Sequence, residues 1–137
     1  MAKVSIIVPV YGVEKYIERC AVSLLEQTYE DIEYIFVNDA TQDKSVAVLT
    51  EVVQRYPERA KDVHIIHHPV NKGLSAARNT GLSKATGDYV WHVDSDDYVA
   101  TDAVQQFVEM AEEHEADVVI CEVNVVTSSG IRTEMVE

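Results

Sequence analysis

Tyr89-Val90-Trp91-His92-Val93-Asp94-Ser95-Asp96-Asp97-Tyr98 is an apolar run that breaks abruptly into three carboxylates spaced by one serine. A short run rich in Val and aromatics suits a strand buried on both faces. The acids are then expected on the loop leaving the strand's carboxyl end, the rim on which an open α/β sheet binds ligands. At that spacing Asp94, Asp96 and Asp97 are expected to repel one another, since each ionised carboxylate disfavours its neighbours. A divalent cation relieves the conflict. Hard oxygen ligands suit Mg²⁺ or Mn²⁺, and Mg²⁺ is commonly held by one or two carboxylates while water and substrate phosphates complete its shell. An Asp-x-Asp alone is equally well explained as a solvated turn ahead of a helix, so the rest of the chain has to decide.

Outward from this stretch, strand-like and helix-like segments alternate. Val4-Ser5-Ile6-Ile7-Val8-Pro9-Val10 predicts a first buried strand, with Pro9 near its end where a missing ladder donor is tolerated. Ile17, Cys20, Ala21, Leu24 and Leu25 follow at helical spacing. A second strand over 32–37 ends at Asn38-Asp39. A helix with Val46, Leu49, Val53 and Tyr56 on its buried face comes next and is stopped by Pro57. A third strand, 63–67, leads through His68-Pro69 and Asn71-Lys72-Gly73 to a helix over about 74–85, with Gly87 as its C-terminal stop. Beyond the acids, Thr101 can cap a helix buried through Val104, Phe107, Val108 and Ala111. A last strand starts at 118–121 and continues through the alternating Glu122-Val123-Asn124-Val125, and from Thr127 no clear period is visible.

Such alternation calls for a mostly parallel sheet with helices on both faces and right-handed crossovers, a three-layer α/β/α domain covering 1–137. The ends of strands one, two and four then share a rim, bringing Pro9-Val10-Tyr11, Asn38-Asp39 and Asp94-Ser95-Asp96-Asp97 together. Asp39 can accept hydrogen bonds from a ligand there, or cap the following helix. Arg78, flanked by small residues, would lean over the same rim, or stand as an exposed, solvated arginine. Gly81, which costs a helix interior about 1 kcal/mol relative to Ala, marks a close approach, for which a neighbouring backbone in the core is favoured over a ligand. His64 and His67 point to opposite faces of a strand, so a zinc site is not expected, and His67 and His68 are expected to form a polar pair at the strand end. No phosphate-cradling glycine motif and no nucleophile elbow is present. Receivers and Asp-x-Asp phosphatases need acids after the first strand, where this chain has Val10-Tyr11-Gly12.

Composition narrows the partners. No segment is long and apolar enough to span a bilayer, and the amino end lacks a signal cleavage site, so a cytoplasmic setting is expected. Cys20 and Cys121 lie far apart inside apolar patterns and are expected to be reduced core residues. A formal net charge of -13 argues against nucleic acid. An anionic ligand would likewise need a bound cation or well-placed Arg and Lys to approach.

Together, Val4-Ser5-Ile6-Ile7-Val8-Pro9-Val10-Tyr11, Val37-Asn38-Asp39, Asn71-Lys72-Gly73-Leu74-Ser75-Ala76-Ala77-Arg78-Asn79-Thr80-Gly81 and Val93-Asp94-Ser95-Asp96-Asp97-Tyr98 resemble family 2 glycosyltransferases of the Rossmann-like GT-A fold, in order, up to about residue 100. The resemblance implies inverting transfer from a nucleotide-diphosphate sugar, most often a UDP-sugar, to a carbohydrate or lipid-linked acceptor, with Mn²⁺ or Mg²⁺. By position, Pro9, Val10 and Tyr11 would line the base and ribose pocket, Asp39 would bond the nucleobase and Arg78 would hold the nucleotide. Asp94, Ser95 and Asp96 would meet the donor, with Asp94, Asp96 and Asp97 on the metal. Ala40 stands where the family commonly has Gly, and a loop needing φ > 0 there would be strained. The family's general base is expected beyond Glu137, so the chain is read as a donor-binding portion lacking most of the acceptor half, binding donor but transferring poorly by itself. Family members often act at the inner membrane face. A non-catalytic nucleotide-sugar-binding module is the alternative.

Overall fold

The computed structural model describes residues 1–115 with their side chains, and the backbones of two further strands. Four strands form a parallel sheet in the order β3-β2-β1-β4: β1 (Val4–Val10), β2 (Ile32–Asn38), β3 (Val63–His67) and β4 (Tyr89–His92). Between them lie α1 (Ile17–Leu25), α2 (Ser45–Gln54), the one-turn α3 (Pro57–Ala60) and α4 (Leu74–Lys84), and α5 (Ala103–Glu113) comes after β4. The chain steps outward from β1 to β2 to β3, then returns across the sheet to place β4 on the other side of β1. This reversal makes the gap between the carboxyl ends of β1 and β4 a topological switch point, where open α/β sheets bind ligands.

Strand alternation shows which helix covers which face. Ile7, Ile35 and Val37 form one buried cluster with Ala77 of α4. Tyr34, one residue from Ile35, sends its hydroxyl the opposite way to the Leu24 carbonyl of α1, at 2.7 Å. Successive strand residues face opposite sides, so α4 covers one face and α1 the other, as right-handed crossovers in opposite directions require. Every residue of β1 is buried. Pro9 lies beyond the β4 ladder, which ends at Ile7–His92, so its missing N–H leaves no bond unmade on that side and the two strands part there.

Several expectations need correction. β4 is an edge strand among the described residues, with Val90 40% exposed, not a strand buried on both faces. The buried face of α2 is Ser45, Leu49 and Val52, not Val53 and Tyr56, and the Tyr56 hydroxyl instead donates to Glu26. Gly87 does not end α4; its N–H donates to Ser5 Oγ at 2.8 Å, and a Cβ there would sit 2.6 Å from that oxygen and 2.8 Å from the Lys3 carbonyl oxygen. Thr101 lies ahead of α5 and offers its carbonyl to Thr28 N–H. Residues 118–120 of the expected last strand lie outside the described residues, as does the side chain of Cys121. The remaining carboxyl-terminal stretch forms a two-stranded antiparallel sheet, β5 (Cys121–Thr127) with β6 (Gly130–Val136), so the aperiodic tail contains a strand. Such pairing is made backbone to backbone and needs no strong side-chain period. Met1–Gln105 forms one compact unit and Gln106–Glu137 a second.

Gly81 meets a side chain, not the expected backbone: a Cβ there would lie 2.4 Å from Ile7 Cγ2. Ile7 is β-branched and fully buried, so the clash has no easy exit. Replacing Gly81 with Ala should lower stability by about 1–3 kcal/mol, although helix propensity alone predicts a gain of about 1 kcal/mol. Equilibrium urea unfolding distinguishes the two, and a stabilised variant would contradict this packing.

Candidate functional site

At the switch point the strand ends enclose a cleft of about 400 Å³, walled by Pro9, Tyr11 and Val13 after β1, Asp39 after β2, Asn71, Gly73, Leu74 and Ala77 of the α4 entry, and Asp94, Ser95 and Asp96 after β4. Tyr11 stands 56% exposed, a free aromatic platform at the mouth. Of the residues expected here, Val10 is placed otherwise. Its side chain is fully buried, and its contribution is a carbonyl that accepts Asp39 N–H at 3.0 Å. Asp97 does not line the cleft, though it stands beside the two acids that do.

Asp39 holds one wall together. Its buried carboxylate accepts Lys72 N–H at 2.8 Å, Gly73 N–H at 2.9 Å and the His68 ring at 2.8 Å. An ionised carboxylate only accepts, so His68 Nδ1 carries the proton of that bond, while Nε2 pairs with the Thr80 hydroxyl at 2.8 Å. Burial works to raise the Asp39 pKa, but the bonds from His68, Lys72 and Gly73 outweigh it and hold the carboxyl below its ordinary range. Gly73 is needed at φ 96°, outside what side chains readily adopt. Ala40, beside Asp39, sits at φ 60°, a left-handed conformation that strains a residue carrying a Cβ, as expected for this loop.

A second carboxylate ties together the loops that follow β1 and β2. Asp43 accepts from Thr41 and Ser45 hydroxyls at 2.7 and 2.6 Å and from the Ser45 and Glu14 amides. Thr41 and Ser45 in turn accept Gly12 and Val13 N–H at 2.9 Å, so the loop after β1 is stitched to the loop after β2. Burial opposes ionisation of Asp43, yet the Ser45 and Thr41 bonds prevail and bring its pKa to about 2. Sequence reading overlooked this lattice and His68's link to Asp39. The available signal was a Thr41-Gln42-Asp43-Lys44-Ser45 run of short polar side chains, the type that bonds nearby backbone.

The third wall is different in kind. Carboxylate oxygens of Asp94, Asp96 and Asp97 lie within 4.8 Å of one another, and all three residues are exposed. Burial, then Asp96 and Asp94, raise the Asp97 pKa, and Arg19 only partly offsets them. Arg78 Nη2 donates to Asp94 at 2.8 Å, while its buried Nε finds no partner among the described residues. An under-compensated group of hard oxygen donors beside an incompletely satisfied guanidinium fits a divalent cation shared with an anionic ligand. No helix of the described residues is long and apolar enough to cross a membrane.

These opposite shifts set the pH dependence. Asp39 and Asp43 both contribute stability that is fully present above the ordinary Asp value of about 3.8 and is lost as pH falls through their lowered folded-state values, for Asp43 toward about 2. Asp97, shifted upward, disfavours the folded state while ionised, and that cost is removed as pH falls through its raised value to about 3.8, ahead of the loss from Asp39 and Asp43. Thermal unfolding midpoints should fall between those pH values, less steeply for Asp43→Asn. An identical slope in the variant would show that the Asp43 lattice is energetically idle.

A family profile described as glycosyl transferase family 2 matches residues 5–136. The uncharacterized glycosyltransferase EpsJ of Bacillus subtilis (strain 168) is 48% identical over 118 residues, which make up 86% of this chain and 33% of that protein. Among solved structures, S. aureus TarS 1-349 in complex with UDP superposes with a TM-score of 0.75 at 28% identity, over 86% of this chain and 34% of that one. The mannosyltransferase PcManGT from Pyrobaculum calidifontis, in complex with GDP-Man and Mn²⁺, gives 0.74 at 26% identity over 80% and 32%. The chain spans about a third of the length of these relatives. With four parallel strands, a switch-point cleft and a profile match over nearly its whole length, the chain belongs to glycosyl transferase family 2 and has the GT-A fold.

Proposed function

We propose that the chain forms the donor-binding part of a metal-assisted, inverting glycosyltransferase that takes a nucleotide-diphosphate sugar, with a UDP-sugar favoured, and passes the sugar to a carbohydrate or lipid-linked acceptor. The observation that carries this reading is the meeting of Tyr11, Asp39 and Asp94-Ser95-Asp96 around one cleft. UDP in the TarS complex supports the uridine donor, and Mn²⁺ with GDP-Man in PcManGT supports the cation. A cytoplasmic setting at the membrane's inner face suits such a donor, and Cys20 as a buried free thiol is consistent with it.

In this reading Pro9 and Tyr11 offer an apolar and aromatic surface to the base. Asp39, already satisfied by three donors, keeps spare acceptor capacity for a base N–H. Rigid placement matters here, because an acceptor that needs no reorganisation discriminates best against bases lacking the matching donor. Arg78, paired to Asp94 and with an Nε unpartnered among the described residues, would share its guanidinium with a diphosphate oxygen, a reading its bond to Asp94 supports. Asp94, Asp96 and Asp97 would hold the cation, whose chemistry when bound is to neutralise charge developing on the departing diphosphate. The acids alone would repel that donor, so cation and nucleotide should bind cooperatively.

Titration calorimetry with UDP and Mn²⁺ tests this directly. UDP should bind with Mn²⁺ present and at least about tenfold more weakly, ~1.4 kcal/mol, to Asp96→Ala. Equal heats from both proteins would remove the acidic loop from the site.

A further inference from the structure

Helix α1 covers the sheet with one face and tracks the acidic loop with another. The Cys20 thiol donates to the Asp94 carbonyl at 3.7 Å, and Ser23 Oγ accepts Val99 N–H at 3.2 Å. Just past the helix end, Gln27 Nε2 donates to the Ala100 carbonyl at 2.7 Å and to the Ser23 carbonyl at 2.9 Å, while its Oε1 accepts Val104 N–H at 3.0 Å. Cys20 and Ser23 share a face of α1 and Gln27 follows just past its end, so three side chains grip the loop at its start, middle and end. Gln27 is 4% exposed, with both amide donors used. A buried amide satisfied only by backbone is costly to place unless those bonds matter.

The loop needs a restraint. Asp94, Asp96 and Asp97 repel one another; Arg78 pairs with Asp94 alone, and cations paired to all three would also fill the place of a metal ion. Neutral hydrogen bonds from α1 hold the backbone while leaving the negative charge available. We propose that Gln27 is a positioning residue: by tying Ala100 and Val104 to the end of α1 it sets the spread of the three carboxylates, and so the affinity for a divalent cation. The inference rests on the cation-assisted donor reading of the cleft and adds the element that pre-forms the site. Outer partners of metal ligands typically contribute 10–100-fold in affinity.

The test is Mn²⁺ binding to the 137-residue chain in the presence of UDP, monitored by the loss of the free-Mn²⁺ electron paramagnetic resonance signal. Gln27→Met keeps the volume and removes all three bonds; Ser23→Ala is milder and serves if the first variant folds poorly. Ser5→Ala, which removes a buried bond to Glu33 at the opposite end of the sheet, controls for general loss of stability. Gln27→Met should weaken Mn²⁺ about tenfold and Ser23→Ala about threefold, with Ser5→Ala unchanged. Gln27 or Ser23 variants that bind Mn²⁺ as tightly as the Ser5 control would overturn the positioning role while leaving the cation reading intact. Absence of saturable Mn²⁺ binding by the unmutated chain would overturn the cation reading itself, and this inference with it.

Discussion

Repulsion among Asp94, Asp96 and Asp97 is the constraint around which the amino-terminal unit is arranged. Three exposed carboxylates with oxygens within 4.8 Å of one another gain nothing from each other. The fold nevertheless holds them on one short loop. Compensation from the protein is partial: Arg78 pairs with Asp94, and Arg19 lies 4.2 Å from the Tyr98 ring and offsets Asp97 only in part. Sites that must receive a ligand are commonly kept in a state the free protein does not favour, with the surrounding structure bearing the cost.

The carboxylates of this unit divide by environment. Glu33 and Asp39 are buried and Asp43 is half-buried, and donors from Ser5 and Thr86, from His68 and the 72–73 amides, and from Ser45 and Thr41 more than offset that burial. These acids fasten loops: Glu33 at the amino ends of the strands, Asp39 in the wall of the cleft and Asp43 between the loops after β1 and β2. Asp97 lacks such donors, and burial with its neighbours pushes its pKa upward. The satisfied acids build the scaffold, and the unsatisfied group asks for a cation. A net charge of -13 therefore says little by itself about anionic ligands, because what decides is where donors have been assigned.

Much of this was legible in the chain. β1 reads as a buried strand because its run is Val, Ile and Pro but for Ser5, and all seven residues are buried; the alternation of elements called for a parallel sheet, which the four strands form, while their order was not legible. Ala40 could be marked as strained because a left-handed position penalises any Cβ. Other features were hidden for physical reasons. Gly87 looks the same in sequence whether it ends a helix or makes room for Ser5, since both need a missing Cβ. Val90 carries the composition of a buried strand but lies at a described edge, and composition does not reveal neighbours. Val10 belongs to the run that forms the cleft, yet period-2 alternation turns it inward. The grip of Gln27 on Ala100 and Val104 spans more than 70 residues of chain, beyond any local pattern.

The central claim is spatial: a cation on the acidic loop and a nucleotide on Tyr11 and Asp39 occupy one cleft. Paramagnetic broadening measures that proximity directly. With substoichiometric Mn²⁺ and UDP added to the ¹⁵N-labelled chain, amide signals of Tyr11, Gly73 and Ser95 should broaden first, while those of Ser5 and Gly87, at the far end of the strands, stay sharp. Broadening centred on Glu109, Glu112 and Glu113 of α5, with Tyr11 and Gly73 unaffected, would contradict the account.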